Sequence, residues 1–87
     1  MIQPITTFQN LKKLQVINIC TGSCLGKVSN LEIDLVLGRV IAIFVPRKGS
    51  FWDYFRHDFK RERRIAWSLI DRIGDDAILV RVSEEKL

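Results

Sequence analysis

The sequence is poor in the residues that catalysis most often uses. Among 87 residues there are one histidine and two cysteines. His57 stands in a charged stretch, with Asp53 and Asp58 as its acidic neighbours in sequence. Acid–base or nucleophilic chemistry needs several such groups converging within hydrogen-bond reach, and a lone histidine in a solvated loop does not supply that. The five glycines (Gly22, Gly26, Gly38, Gly49 and Gly74) are scattered along the chain instead of forming a phosphate-cradling loop. Asp75 and Asp76 occupy a turn, where aspartates bond to their own backbone. No catalytic residue and no cofactor site is assigned, and the chain is read as a non-enzyme.

The cysteines exclude little more than they permit. Cys20 and Cys24 lie four residues apart in "NICTGSCLG". A zinc site takes about four ligands, and the chain adds only the distant His57, so no metal site is assigned. Both thiols are read as ordinary side chains flanking a β-turn, with a disulfide not expected in a reducing compartment.

Long apolar runs are also missing. The longest, Val40–Val45, has six residues, against the ~20 of a membrane-spanning helix. The N-terminal "MIQPITTFQNLKKL" has no basic stretch followed by an apolar one, so no secretory signal is expected and the default compartment is the cytoplasm. The chain is expected to form one domain over 1–87, its core spanning roughly 13–83. A domain of this size buries only about 60–65% of its unfolded surface, so the core must be efficient; a hydrophobic content of 47% allows that.

What is present is mostly β. "LQVINI" (Leu14–Ile19) is β-branched and partly alternating, and "TGS" supplies a turn with Gly22 at positive φ. A second strand is expected from Leu25 through Asp34, with Leu31, Ile33 and Leu35 on its core face. "DLVLGR" reads as a tight connection with Gly38 in the left-handed region. "RVIAIFV" (Arg39–Val45) is apolar on both faces and is expected to be the most buried strand, ended by Pro46. "RRIAW" forms a short strand with Trp67 in the core, and "RIGDDAILVRV" forms a hairpin. Helix is confined to at most one short turn: either "TTFQNLKKL", capped by Thr6 or Thr7 and tucking Phe8 and Leu11 inward, or "WSLI", capped by Ser68. The expectation is an all-β chain: a small six-stranded barrel, whose closure removes vulnerable sheet edges.

The order of these motifs resembles the PRC-barrel superfamily, and within it the small stand-alone YlmC/YmxH proteins of spore-forming bacteria. The resemblance rests on "VINICTGSCLGKVSNLEIDLVLGRVIAIFVP" (Val16–Pro46) and "RRIAWSLIDRIGDDAILVRV" (Arg63–Val82). Asn30 replaces a common aspartate, and Val36 and Leu37 replace usual polar turn residues. The resemblance implies a six-stranded PRC-type barrel used as an adaptor, linked to sporulation. Relatives of the domain in a ribosome-maturation factor and in a photosynthetic reaction centre serve to dock macromolecules.

One segment differs from the rest. Residues 47–64 carry seven basic against three acidic residues, so the whole net charge of +4 falls there. The loop over 47–62 also gathers five of the eight aromatics. Phe51, Phe55 and part of Trp52 are expected to form a lid on the barrel, since burying such rings is worth several kcal/mol at ~25 cal/mol per Å². Trp52, Tyr54, Arg56, Lys60, Arg61, Arg63 and Arg64 form the candidate partner-binding set, presented to a protein with an acidic surface. The alternative is a nucleic-acid (RNA) module, in which the rings stack on bases while the basic groups meet phosphates. Val36 and Leu37, apolar at a loop tip, are the candidate residues for self-association into a homodimer.

Overall fold

The computed structural model describes residues 5–46 and 62–83. Among these residues there are seven strands: β1 (Gln15–Asn18), β2 (Ser23–Lys27), β3 (Asn30–Asp34), β4 (Arg39–Pro46), β5 (Glu62–Ala66), β6 (Ile70–Ile73) and β7 (Ala77–Val80). They form a four-stranded sheet in the order β2-β1-β7-β6 and a three-stranded sheet in the order β3-β4-β5. All pairings are antiparallel except β1 with β7, which run parallel and bring the first and last strands together. The all-β class is as expected.

Among the described residues there are seven strands, one more than expected, because the expected run Leu25–Asp34 is two strands. Up to Lys27 it pairs with β1; from Asn30 it pairs with β4. Val28 and Ser29 make the crossing. Val28 is buried in the core, and the backbone N–H and hydroxyl of Ser29 both donate to the Phe44 carbonyl, at 2.8 and 3.2 Å.

The two sheets face each other across one apolar cluster. Val16, Leu25, Ile78 and Val80 come from the first sheet, and Ile43, Val45 and Ile65 from the second. β4 is the central strand of its sheet, with Ala42, Ile43 and Val45 all buried, which fits its unbroken apolar sequence. The helix α1 (Phe8–Leu11) adds Leu11 to the cluster, with Phe8 packed on its margin. Thr7 is its cap: the hydroxyl accepts the N–H of Asn10 at 3.2 Å. A second helical turn, a 3-10 turn over Trp67–Leu69, joins β5 to β6 without any side-chain cap, so Ser68 does not cap it. Among the described residues there are thus two short helical turns where at most one was expected.

Two further expectations are corrected. Trp67 is 36% exposed and not in the core. The β4–β5 ladder ends at Ala66, opposite Ala42, so the alternation that buries Ile65 stops one residue before Trp67. Ile33 and Leu35 also face outward, at 52% and 90% exposure. A bulge between Glu32 and Ile33 leaves Ile41 of β4 as an extra residue, and one extra residue turns the following side chains off the core face.

Gly22 and Gly38 take the positive φ expected of them, 76° and 64°. A more demanding glycine lies inside β2. Gly26 has φ 118°, beside a bulge in which Leu25 is the extra residue between the pairs Val16–Gly26 and Ile17–Cys24. A Cβ there would come 3.4 Å from the Cγ1 of Val45 on the opposing sheet. The bulge sends Leu25 into the core, and the bare Gly26 backbone lets the sheets approach.

At the end of β1 one polar side chain is fully buried. The Nδ2 of Asn18 donates to the Val82 carbonyl at 2.8 Å, while its Oδ1 accepts the N–H of Val82 and of Cys20, each at 3.1 Å. Its own carbonyl accepts from Gly22 at 2.7 Å. Replacing Asn18 with alanine strands part-buried backbone groups at roughly 1–3 kcal/mol each. Asn18→Ala is therefore expected to lower stability by about 2–4 kcal/mol in a urea titration monitored by circular dichroism; a loss below ~1 kcal/mol would refute the clamp. Gly26→Ala is expected to lose about 1–3 kcal/mol through backbone strain, measured the same way, whereas an unchanged midpoint would show that the bulge tolerates a side chain.

Candidate interaction surfaces

The described part of the basic segment is Glu62–Ala66, which forms β5. Glu62, the last residue of the expected loop, begins the strand. β5 alternates in the usual way for an edge strand, and its two arginines consequently have different surroundings. Arg63 shares the face of buried Ile65 and is itself half-buried. Arg64 lies on the outer face and is 49% exposed.

Arg64 already has a partner within the chain. Its Nε and Nη2 both donate to the Oε2 of Glu32, at 3.0 and 2.6 Å. Glu32 is on β3 and Arg64 on β5, so this ion pair reaches across the central strand. On β4, Ala42 pairs with Glu32 and Phe44 with Arg64, so the ion pair runs diagonally across the central strand. The guanidinium is thus directed along the sheet surface toward β3. Trp52, Tyr54, Arg56, Lys60 and Arg61, with His57 and the expected lid residues Phe51 and Phe55, lie outside the described residues.

The β3–β4 turn is a second surface. Oδ1 of Asp34 accepts the N–H of Val36 at 2.9 Å and of Leu37 at 3.0 Å, and the N–H of Gly38 donates to the Asp34 carbonyl at 2.8 Å. The backbone is therefore satisfied internally, and the side chains are left to solvent: Val36 is 93% and Leu37 60% exposed. Next to this hairpin, Arg39, Val40, Ile41, Trp67 and Ser68 line a shallow cleft of about 290 Å³. Sequence reasoning singled out Val36 and Leu37 but missed Trp67 as a surface residue, because its proximity to Ile65 reads as a continued strand.

A larger groove, about 510 Å³, lies between α1 and the β6–β7 turn, with Lys13 and Asp75 as its ionisable groups. Cys20 and Cys24 are exposed free thiols, with the Sγ of Cys24 donating to Oε1 of Gln15 at 3.0 Å. Among the described residues no three histidine, cysteine, aspartate or glutamate side chains gather as a metal would require. No helix among them is long and apolar enough to cross a membrane.

The model of the PRC-barrel domain matches residues 6–87, nearly the full chain. The chain belongs to the PRC-barrel family. This PRC-barrel protein is 35% identical over 69 residues to the "Probable sporulation protein YlmC" of Bacillus subtilis (strain 168), covering 79% of this chain and 83% of that protein. It is also 36% identical over 78 residues to an uncharacterized protein of Clostridium acetobutylicum, covering 88% of this chain and 85% of the relative. The motifs that carried the resemblance have physical roles in the fold: in "LGKV", Leu25 and Val28 enter the core around the Gly26 bulge.

Because both partners of the Glu32–Arg64 pair are substantially solvated, the pair contributes little: exposed pairs are worth roughly 0.2–1 kcal/mol. A double-mutant cycle with Glu32→Gln and Arg64→Gln is expected to give a coupling within that range, shrinking in 1 M salt. A coupling of several kcal/mol would show that the pair is a structural brace.

Proposed function

We propose that this PRC-barrel protein is a non-catalytic docking domain that acts in sporulation in the cytoplasm of a spore-forming bacterium. The observation that carries this reading is its similarity, over most of both chains, to a protein named as a probable sporulation protein. The use of polar groups in the fold favours a binding role over a catalytic one. Asn18 holds the strand ends, Asp34 caps a turn, Glu32 pairs with Arg64, and Asp71 pairs with Arg81 at 3.0 Å. Each of these groups has a structural task.

The proposed docking element is the basic and aromatic segment 47–64, whose net charge of +4 attracts a protein with an acidic surface. Trp52 and Tyr54 serve as anchors, in keeping with the weight of aromatic residues at interface hot spots. Within the set, Arg56, Lys60 and Arg61 carry the steering charge, with Arg63 and Arg64 flanking them on β5. The nucleic-acid alternative draws no support from the described residues, because the Arg64 guanidinium is turned to Glu32.

Deleting the gene in its host is expected to lower the yield of heat-resistant spores at least tenfold. The wild-type chain should restore it. An Arg56→Gln/Lys60→Gln/Arg61→Gln variant, present at normal abundance, should not. Unchanged spore counts and timing in the deletion strain would overturn the sporulation role, and full restoration by the variant would overturn the docking element. Titration of the purified chain with single-stranded RNA at low and near-physiological salt is expected to show no specific binding. Tight binding that the triple variant abolishes would replace the protein partner with nucleic acid.

A further inference from the structure

The β3–β4 hairpin places an apolar projection and an apolar recess side by side. Leu35, Val36 and Leu37 form the projection, with exposures of 90%, 93% and 60%. The cleft lined by Val40, Ile41 and Trp67, with Arg39 and Ser68 at its polar positions, forms the recess. The two are joined by the same ladder, in which Ile33 pairs with Val40 and Asp34 with Arg39.

We propose that this face joins two copies of the chain about a two-fold axis, with the hairpin tip of each copy seated in the Trp67 cleft of the other. The proposal does not rest on the docking reading above. It follows from three features of this surface.

The first is the tip's rigidity. The two bonds to Asp34 Oδ1 and the bond from Gly38 to the Asp34 carbonyl hold the turn projecting outward. The second is adjacency. A two-fold interface uses one self-complementary patch, so projection and recess must lie together, and here they adjoin along the β3–β4 ladder. The third is area. Burying one aliphatic side chain withdraws roughly 100 Å² from water at the usual transfer value. Three tip residues and the walls they cover bury about 600 Å² in a single tip-in-cleft contact, short of the roughly 1,200–2,000 Å² of stable interfaces. Reciprocal seating doubles that figure to about 1,200 Å². A second copy therefore supplies what a single tip contact with another partner does not.

The same geometry explains why apolar residues occupy a turn that would ordinarily be polar. Asp34 satisfies the turn's backbone by itself, which frees positions 36 and 37 from hydrogen-bonding duty.

The test is sedimentation velocity on the full-length chain from roughly 1 to 300 µM. Wild type is expected to move from monomer to dimer within this range. Val36→Lys places a charge on the tip, and Ser68→Arg fills the recess; both positions are exposed, and circular dichroism checks that each variant keeps its fold. Each variant is expected to weaken the dimer at least tenfold. A wild-type chain that stays monomeric throughout, or a dimer that neither variant weakens, overturns the proposal. A dimer weakened by Val36→Lys but not by Ser68→Arg also overturns it, since the tip would then meet something other than the cleft.

Discussion

The buried amide of Asn18 ties together parts of the chain that local structure would leave apart. Its side chain bonds both the N–H and the C=O of Val82, 64 residues away, and also holds the N–H of Cys20 at the start of the following turn. Those bonds lie at the end of the parallel β1–β7 pair, where the ladder runs out and the chain's last described residues need a partner. An apolar side chain of the same size would fill the space but leave these backbone groups unpaired. A buried polar group that is fully engaged specifies one arrangement among the many that hydrophobic packing alone would tolerate. With β1 and β7 held together, the hairpins β1–β2 and β6–β7 extend the same sheet on either side.

The second sheet is joined to the first by packing. Gly26 allows the backbone of β2 to approach Val45, and Val28 fills the space where the chain crosses from one sheet to the other. Among the described residues the core so formed is aliphatic, with isoleucine, valine and leucine making up its buried cluster. At the surface Arg64 pairs with Glu32 and Arg81 with Asp71. This construction suits a rigid scaffold that displays its connections. The displayed features of the described residues are an apolar hairpin tip and the surface around Trp67 and Leu69.

Much of the fold was legible because local sequence rules decided it. The apolar run Arg39–Val45 reads as a buried strand and is one; Thr6 or Thr7 reads as a cap, and Thr7 accepts the bond a cap should; Gly22 and Gly38 read as left-handed turn residues and have positive φ. The misreadings share a cause. Leu25–Asp34 looked like one strand because a change of hydrogen-bonding partner leaves no mark on alternation. Ile33 looked buried because the extra residue that turns it outward, Ile41, lies on a different strand. The candidate site was only partly legible. Val36 and Leu37 stood out as apolar residues in a turn, whereas the engagement of Arg64 by Glu32 depends on two strands separated by a third.

The amino-acid sequence by itself determined the all-β class, the places where the chain turns, the concentration of positive charge in one segment and membership of the PRC-barrel family. The first three follow from residue type and near-neighbour spacing, which constrain φ and ψ and the burial of individual side chains; the family follows from the likeness of the ordered motifs to those of its members. Only the tertiary structure decided that the strands sort into two sheets, that Asn18 clamps the first strand to the last, that Trp67 lies at the surface and that Arg64 is directed toward Glu32. Each of these depends on contacts between residues far apart in the chain, where strand register and bulges select the neighbours and spacing along the sequence does not.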